Sequence, residues 1–346
     1  MQKKARPNIG DIAAKAGVSK GAVSFALNDR PGVSEETRAR ILQVAEELNW
    51  RPHSAARALS GSRTDVVGLV LARPARTLGI EPFFSNLISG LQAGLSARGL
   101  ALQMRIVEDT AAEIDVYRQW WNEHRVDAVI LVDLQEDDER LAHLEELGLP
   151  AVVIGGPVSY GSVSSIWADD SEAMTSIVEY LAALGHRRIG HVGGMPNFLH
   201  TRRRVAALAS SAERLGLEWV ESLFTDFSDS QGAATTRRLL AREQRPTAVI
   251  YDSDVMALAG LSVAMEMNID VPRRLSIVAF DDSPLTQLTH PAMTALSRDT
   301  FNYGEQAAAV VMRLLAEPNS QIDQHAQTPV LTVRASTAPP PAEQQK

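Results

Sequence analysis

Three pairs of adjacent aspartates, Asp137-Asp138, Asp169-Asp170 and Asp281-Asp282, come nearest to catalytic chemistry in this 346-residue chain. Glycoside hydrolysis needs two carboxylates flanking one bond. Acids at loop ends serve equally well as acceptors for sugar hydroxyls or as helix caps. Other catalytic patterns are missing. There is no Gly-Lys pair and so no P-loop, and G-x-G-x-x-G and H-E-x-x-H are absent. His143-Leu144-Glu145-Glu146 lacks the second histidine of a zinc-protease helix. His186 and His191 straddle a helix end and a strand, a poor geometry for a shared metal. The absence of cysteine excludes a disulfide scaffold, a thiolate metal site and a cysteine nucleophile. The residues predict binding rather than an enzyme, with no cofactor and no metal.

The elements that would position these acids alternate. Strands are predicted at Val66–Leu71, Leu100–Val107, Asp127–Asp133, Ala151–Ile154, Arg188–Val192, Thr247–Tyr251 and Leu275–Phe280. Helices are predicted near Phe84–Arg98, Glu113–Glu123, Glu139–Leu147, Ser171–Leu184, Arg203–Leu215, Gln231–Arg242, Asp254–Met267 and Phe301–Ala316. In Ser171–Leu184, Ala173, Met174, Ile177, Val178 and Leu181 fall on one stripe, and Gly185 follows the end. Repeated strand–helix units predict parallel sheets with helices on both faces and ligands at the carboxyl ends of strands. The body exceeds one ordinary sheet, so two lobes that could close on a ligand are expected. Asp281 follows a buried strand and is placed at the cleft edge; Asp133 and Asp169 also end strands and could reach it. Asp170, Asp254 and Asp282 read as caps. No apolar run is long enough to span a bilayer. The basic N-terminus has no apolar segment behind it, so a cytoplasmic address is expected.

Charge separates a head from this body. The chain has 34 basic and 42 acidic side chains, and residues 1–62 hold ten of the basic and six of the acidic ones. A +4 head on an acidic remainder suggests a polyanion partner. Asn8 can cap a helix over Ile9–Ala16, Ser19 one over Lys20–Asn28 and Ser34 one running to about Leu48. Two short helices joined by a turn at Gly17, with a third as brace, make a helix-turn-helix.

The run DIAAKAGVSKGAVSFALNDRPGVSEETRARILQVAEELNWRPHSAARAL, residues 11–59, resembles the DNA-binding head of the lactose-repressor (LacI/GalR) family. The resemblance covers the turn, the third-helix cap and the R-P-x-x-x-A-R-x-L hinge. It implies that Lys20–Asn28 lies in the major groove. Lys20, Gly21 and Phe25 stand where the family reads bases. Ser19, Ala22 and Ser24 stand near phosphates or a thymine methyl, and Asn28 is a further contact. Phe25 is a departure: many members carry arginine there, and phenylalanine cannot donate to guanine. Residues 53–59 read as a helix too short to hold alone in water. By resemblance this segment folds on DNA with its twin, Leu59 levering open a minor-groove base step and Ala56 and Arg57 flanking it.

For the body the resemblance implies an effector pocket. Asp281 would accept from ligand hydroxyls, Arg204 would hold the ligand, and Phe84 would floor the pocket. Phe227 would stack on the ligand as in the purine-repressor branch, and Ser253 replaces a frequent ligand-binding asparagine. An arginine, an acid and aromatic faces suit a sugar; a nucleobase or nucleoside corepressor is the second choice. The expected fold class is an all-α helix-turn-helix head plus an α/β two-lobe, periplasmic-binding-protein-like body. The expected domains are 1–50 for DNA binding, 51–63 for hinge and linker, and 64–336 for effector binding and dimerisation. Within the last, the N-lobe takes about 64–166 and 299–327 and the C-lobe about 167–298 and 328–336, with a disordered Pro/Gln-rich tail at 337–346. The tail lacks a leucine heptad, which implies a homodimer. The reading is a repressor of sugar uptake or catabolism genes on palindromic double-stranded DNA, gated by a small carbohydrate. A periplasmic sugar-binding protein would instead carry an export signal and no helix-turn-helix. A sugar-active enzyme would need turnover through the paired acids.

Overall fold

The structure is a computed structural model that describes residues 7–28, 30–50, 63–158, 160–317 and 320–341. It divides into two compact units, Met1–Thr64 and Asp65–Lys346.

In the first unit three helices, α1 (Ile9–Ala16), α2 (Lys20–Leu27) and α3 (Glu35–Glu47), each begin at a side-chain cap. The Asn8 carboxamide accepts from the Gly10 amide at 2.7 Å, and the Asn8 amide donates to the Asp11 carboxylate at 2.8 Å. Ser19 accepts from Ala22 at 3.1 Å and Ser34 from Thr37 at 3.3 Å. Ile12, Ala13, Ala16, Val23, Ala26, Ile41, Val44 and Ala45 form the small core. Arg38 ties the α2–α3 connection by donating to the carbonyls of Ala26 and Arg30. Because α1 is short, its cap matters: Asn8→Ala is expected to lower the helix's stability by about 1 kcal/mol. Amide exchange of Ile12–Ala16 should then quicken roughly fivefold; unchanged protection would mean the cap is redundant.

The second unit holds two six-stranded sheets. The first has the order β11-β5-β4-β3-β1-β2 and is parallel throughout: β1 (Val66–Ala72), β2 (Ala101–Val107), β3 (Ala128–Leu131), β4 (Ala151–Ile154), β5 (Ser164–Trp167) and β11 (Asp323–His325). The second has the order β12-β10-β9-β8-β6-β7, with β6 (Arg188–Gly193), β7 (Trp219–Phe224), β8 (Ala248–Tyr251), β9 (Ser276–Ala279), β10 (Thr294–Ser297) and β12 (Val330–Thr332). Only β12 in it is antiparallel. Successive strand residues face opposite sides of a sheet, so each lobe has two cores. Leu69 and Leu71 pack on α5 (Pro82–Ser96) and α13 (Thr300–Ala316); Val70 and Leu131 pack on α6 (Thr110–Asn122) and α7 (Glu139–Leu147). In the other lobe Ile250 and Val278 pack on α8 (Asp170–Ala183) and α9 (Leu199–Leu215). Val249 and Ile277 pack on α10 (Asp229–Leu240) and α11 (Asp254–Glu266). Short helices α4 (Ala75–Leu78) and α12 (Pro284–Leu288) lie in connections. Among the described residues no helix is long and apolar enough to cross a membrane.

The seven expected strands and eight expected helices of the body are present, with ends shifted by a few residues. β5, β7, β10, β11 and β12 were not expected. The expectation of a disordered tail from residue 337 is corrected over 337–341. The Thr337 hydroxyl lies 2.7 Å from the Tyr180 hydroxyl, and the Ala338 amide donates to Ser276 at 3.1 Å. These polar partners hold a segment whose composition alone reads as unstructured. Residues 342–346 lie outside the described residues.

Candidate functional site

The carboxyl ends of strands from both sheets converge on one cleft, where ligands bind in open α/β sheets. Arg73, directly after β1, is its centre. It donates to both Asp133 oxygens at 2.5 and 2.7 Å and to Glu81 at 3.1 Å. Its guanidinium carbon lies 4.3 Å from the Phe227 ring centroid, 4.9 Å from that of Phe84 and 5.3 Å from that of Phe198. Arg73, Phe84, Glu81 and Asp133 belong to the first lobe, Phe198 and Phe227 to the second, so one planar cation fills an aromatic slot between lobes. Burial opposes its charge, but Asp133 and Glu81 outweigh burial and raise the Arg73 pKa. Burial likewise opposes the Asp133 carboxylate, and Arg73 more than offsets it, holding that acid below its usual range. Glu81 is pushed up to about 8 by burial, against the pull of Arg73.

A second cation anchors the opposite wall. Arg204, in the second turn of α9, donates to Asp170 at 2.9 Å, pairs with Asp252 at 3.2 Å, and stacks 3.6 Å from the Phe280 centroid. Asp252 also accepts from the Gly194 amide at 2.9 Å and lies 3.0 Å from His191 Nε2. Burial would raise its pKa, but Arg204 and His191 outweigh burial and hold it well below the carboxylate range. A third arginine, Arg298, donates to Asp281 at 2.7 Å and lies over Phe83. His200 lines the same cleft; burial pushes its pKa down to about 4, so it is neutral at pH 7.

Two cleft residues hold left-handed backbone, Asp133 at φ 54° and Phe227 at φ 67°. For a bulky residue this costs about 1–3 kcal/mol, and such strain gathers at ligand sites. The Phe227 ring fits only because residue 194 is glycine: a Cβ there would lie inside the ring. At the rim the lobes join. The Leu199 amide donates to the Leu134 carbonyl at 2.8 Å, Gln135 and Phe198 form a β-bridge, and Arg202 pairs with Glu136. The cleft retains a cavity of about 90 Å³.

Of the expected effector residues, Phe84, Asp133, Arg204, Phe227, Ser253 and Asp281 meet in this cleft. Asp169 does not. It caps α8, accepting from Ser171 and Glu172, and its neighbour Asp170 turns inward to Arg204. The expected roles of the two acids are thus exchanged, because the helix starts at Asp170. Likewise Ser253 is the α11 cap, accepting from Met256 at 3.3 Å, while Asp254 lies buried in the cleft wall with Oδ2 lacking a hydrogen-bond partner. Burial pushes Asp254 up to about 6. Asp282 is no cap either; Arg334 grips both its oxygens at 2.9 and 2.6 Å, and Ser283 caps α12. Sequence reasoning missed Arg73, Glu81, His200 and Arg298. Arg73 directly follows β1, the kind of position that pointed to Asp281, whereas Arg298 follows β10, which was not expected.

On the head, Ser19, Lys20, Gly21, Phe25 and Asn28 are exposed, and Ala22 and Ser24 are half-buried. The Ser19 hydroxyl is engaged as the α2 cap and the Asn28 amide donates to the Ser24 carbonyl. Ala56, Arg57 and Leu59 lie outside the described residues.

Residues 8–53 match the family described as bacterial regulatory proteins, lacI family, and residues 178–337 match a periplasmic binding protein-like domain. The HTH-type transcriptional regulator CelR of Thermobifida fusca is 31% identical over 327 residues, covering 93% of this chain and 96% of CelR. A solved CelR–cellobiose complex is 28% identical with a TM-score of 0.73, covering 96% of this chain and all of that one. The lac repressor dimer on its operator has a TM-score of 0.81 at 23% identity, covering 96% of this chain and all of that one, and shares the fold. These relatives are transcription regulators, not enzymes. With the three-helix head before a two-lobe body and this likeness along nearly its whole length, the chain belongs to the LacI family of bacterial transcriptional regulators.

Proposed function

We propose that the cleft binds a neutral carbohydrate and that binding alters the affinity of the head for a palindromic operator. The observation that carries the ligand class is charge. Each arginine in the cleft is already matched by a carboxylate: Arg73 by Asp133, Arg204 by Asp170 and Asp252, Arg298 by Asp281. An anionic ligand meets no spare cation and an excess of acids. A neutral polyol finds acceptors in Asp133, Asp254 and Asp281 and apolar contact with the lining rings Phe84 and Phe227. The relative crystallised with cellobiose supports the same class.

Thermal unfolding with a panel of neutral oligosaccharides, uronic acids and nucleobases tests this. At a hundredfold excess over Kd, a true ligand adds about 2.7 kcal/mol, roughly 5–10 °C in Tm, and should change operator affinity in the same titration. A shift with uronates or nucleobases alone would discard the neutral-sugar reading.

We also infer a homodimer. Edge strand β2 exposes Met104 and Ile106, an apolar row that a symmetric copy can cover. Ile106→Asp is expected to halve the sedimenting mass at micromolar concentration while thermal unfolding of the lobe stays cooperative. An unchanged mass would place the interface elsewhere.

A further inference from the structure

We propose that Phe25 reads the C5-methyl group of a thymine in each operator half-site, so that this regulator's base preference is set by an apolar contact instead of a guanine-directed donor. The inference rests on the operator-binding reading above and concerns which base the head selects.

The second helix of a helix-turn-helix presents its exposed side chains to base edges in the major groove. On α2 the exposed positions are Lys20, Gly21 and Phe25, with Asn28 just beyond its end. Gly21, Phe25 and Asn28 stand four and three residues apart and share one face. On that face Gly21 has no side chain, and the Asn28 amide donor is engaged by the Ser24 carbonyl at 2.8 Å. Lys20 is the one cation of α2, at its first residue. Phe25 therefore dominates the face, and 42% of it is exposed although it is a large apolar residue in a small domain.

Its ring is also held. Gly32, at φ +117°, lies beside it; a Cβ there would be 3.2 Å from the ring carbon Cδ2 and 3.5 Å from Cε2. The ring edge rests on bare backbone of the α2–α3 connection, and Arg38 fastens that connection to the Arg30 carbonyl at 2.9 Å. A positioned, half-exposed aromatic on the groove-facing side of a +4 head cannot hydrogen-bond to any base. The apolar group that the major groove offers is the thymine methyl.

The test uses the full-length protein and duplexes that it selects from a random pool. Each thymine of the selected site is replaced in turn by uracil, which removes the methyl and keeps every hydrogen-bonding edge. One symmetric pair of positions should weaken wild-type binding roughly fourfold per half-site, the worth of one buried methyl, and roughly fifteenfold when both are replaced. Phe25→Ala, at an exposed helical position that alanine suits, should bind thymine and uracil duplexes equally with unchanged helix content. Phe25→Leu, which keeps an apolar side chain, should retain part of the discrimination. The proposal is overturned if no uracil position weakens wild-type binding, or if Phe25→Ala discriminates as wild type does. Failure to enrich any duplex sequence would instead remove the operator reading on which it stands.

Discussion

Replacing Asp252 with alanine is expected to remove about 3–5 kcal/mol from the stability of the two-lobe unit, the range for breaking a buried ion pair. Three groups lose their acceptor at once: Arg204, His191 and the Gly194 amide. Arg204 keeps Asp170, so its charge is not wholly abandoned, but it loses the partner that holds it against the second sheet. Asp252→Asn separates charge from shape. The Asp252 pKa is depressed in the folded chain. Its contribution is therefore fully present above the ordinary carboxylate pKa and is lost as pH falls through the lower, folded value. The wild type should lose stability on acidification below about pH 4, and Asp252→Asn should be less stable at neutral pH with a flatter acid limb. Urea unfolding across that range reads both. An Asp252→Ala protein as stable as wild type at neutral pH would show that the network is dispensable.

How far the sequence revealed this site depends on the range of each interaction. Strand β4 and helix α7 end where the apolar pattern ends, because local periodicity decides them. Strand β11, three polar residues, leaves no such trace. It exists because Asp323 reaches Ser165 and Trp167, more than 150 residues earlier. The acids show the same limit at one-residue scale. That Asp169-Asp170 and Asp281-Asp282 lie at strand ends was legible, although of the two strands only β9 was itself expected. Which member of each pair turns inward depends on where a helix starts or where a distant arginine lies, Arg204 for Asp170 and Arg334 for Asp282. The burial of Arg73 left no trace, because nothing in Leu-Ala-Arg-Pro marks a cation as buried. Its counter-ion Asp133 stands 60 residues away, and two of the rings it meets belong to the other lobe.

That buried cation governs the second large effect. Arg73→Ala should leave Glu81 and Asp133 as unpaired acids in the closed cleft, again about 3–5 kcal/mol at alkaline pH. The penalty depends on pH with a definite sign. Glu81 already has its pKa raised to about 8, so the stability carried by its protonated form is present below its unfolded value and fades as pH rises through 8. Without Arg73 its pKa climbs further, and Asp133 loses the neighbour that keeps it ionised. Both acids can then take up a proton as pH falls, so Arg73→Ala should be far less destabilising near about pH 5 than near about pH 9. Asp133→Asn in the same chain should recover much of the loss, since asparagine tolerates the left-handed backbone at that position. Arg73→Lys keeps the charge but not the planar fork or the flat face between Phe84 and Phe227. It should hold most of the stability while loosening the lobes, seen as faster amide exchange at Leu199 on the rim. Were Arg73→Ala equally destabilised at both pH values, the two acids would not be its electrostatic partners. Were Leu199 exchange unchanged in Arg73→Lys, the aromatic slot would contribute nothing to closure.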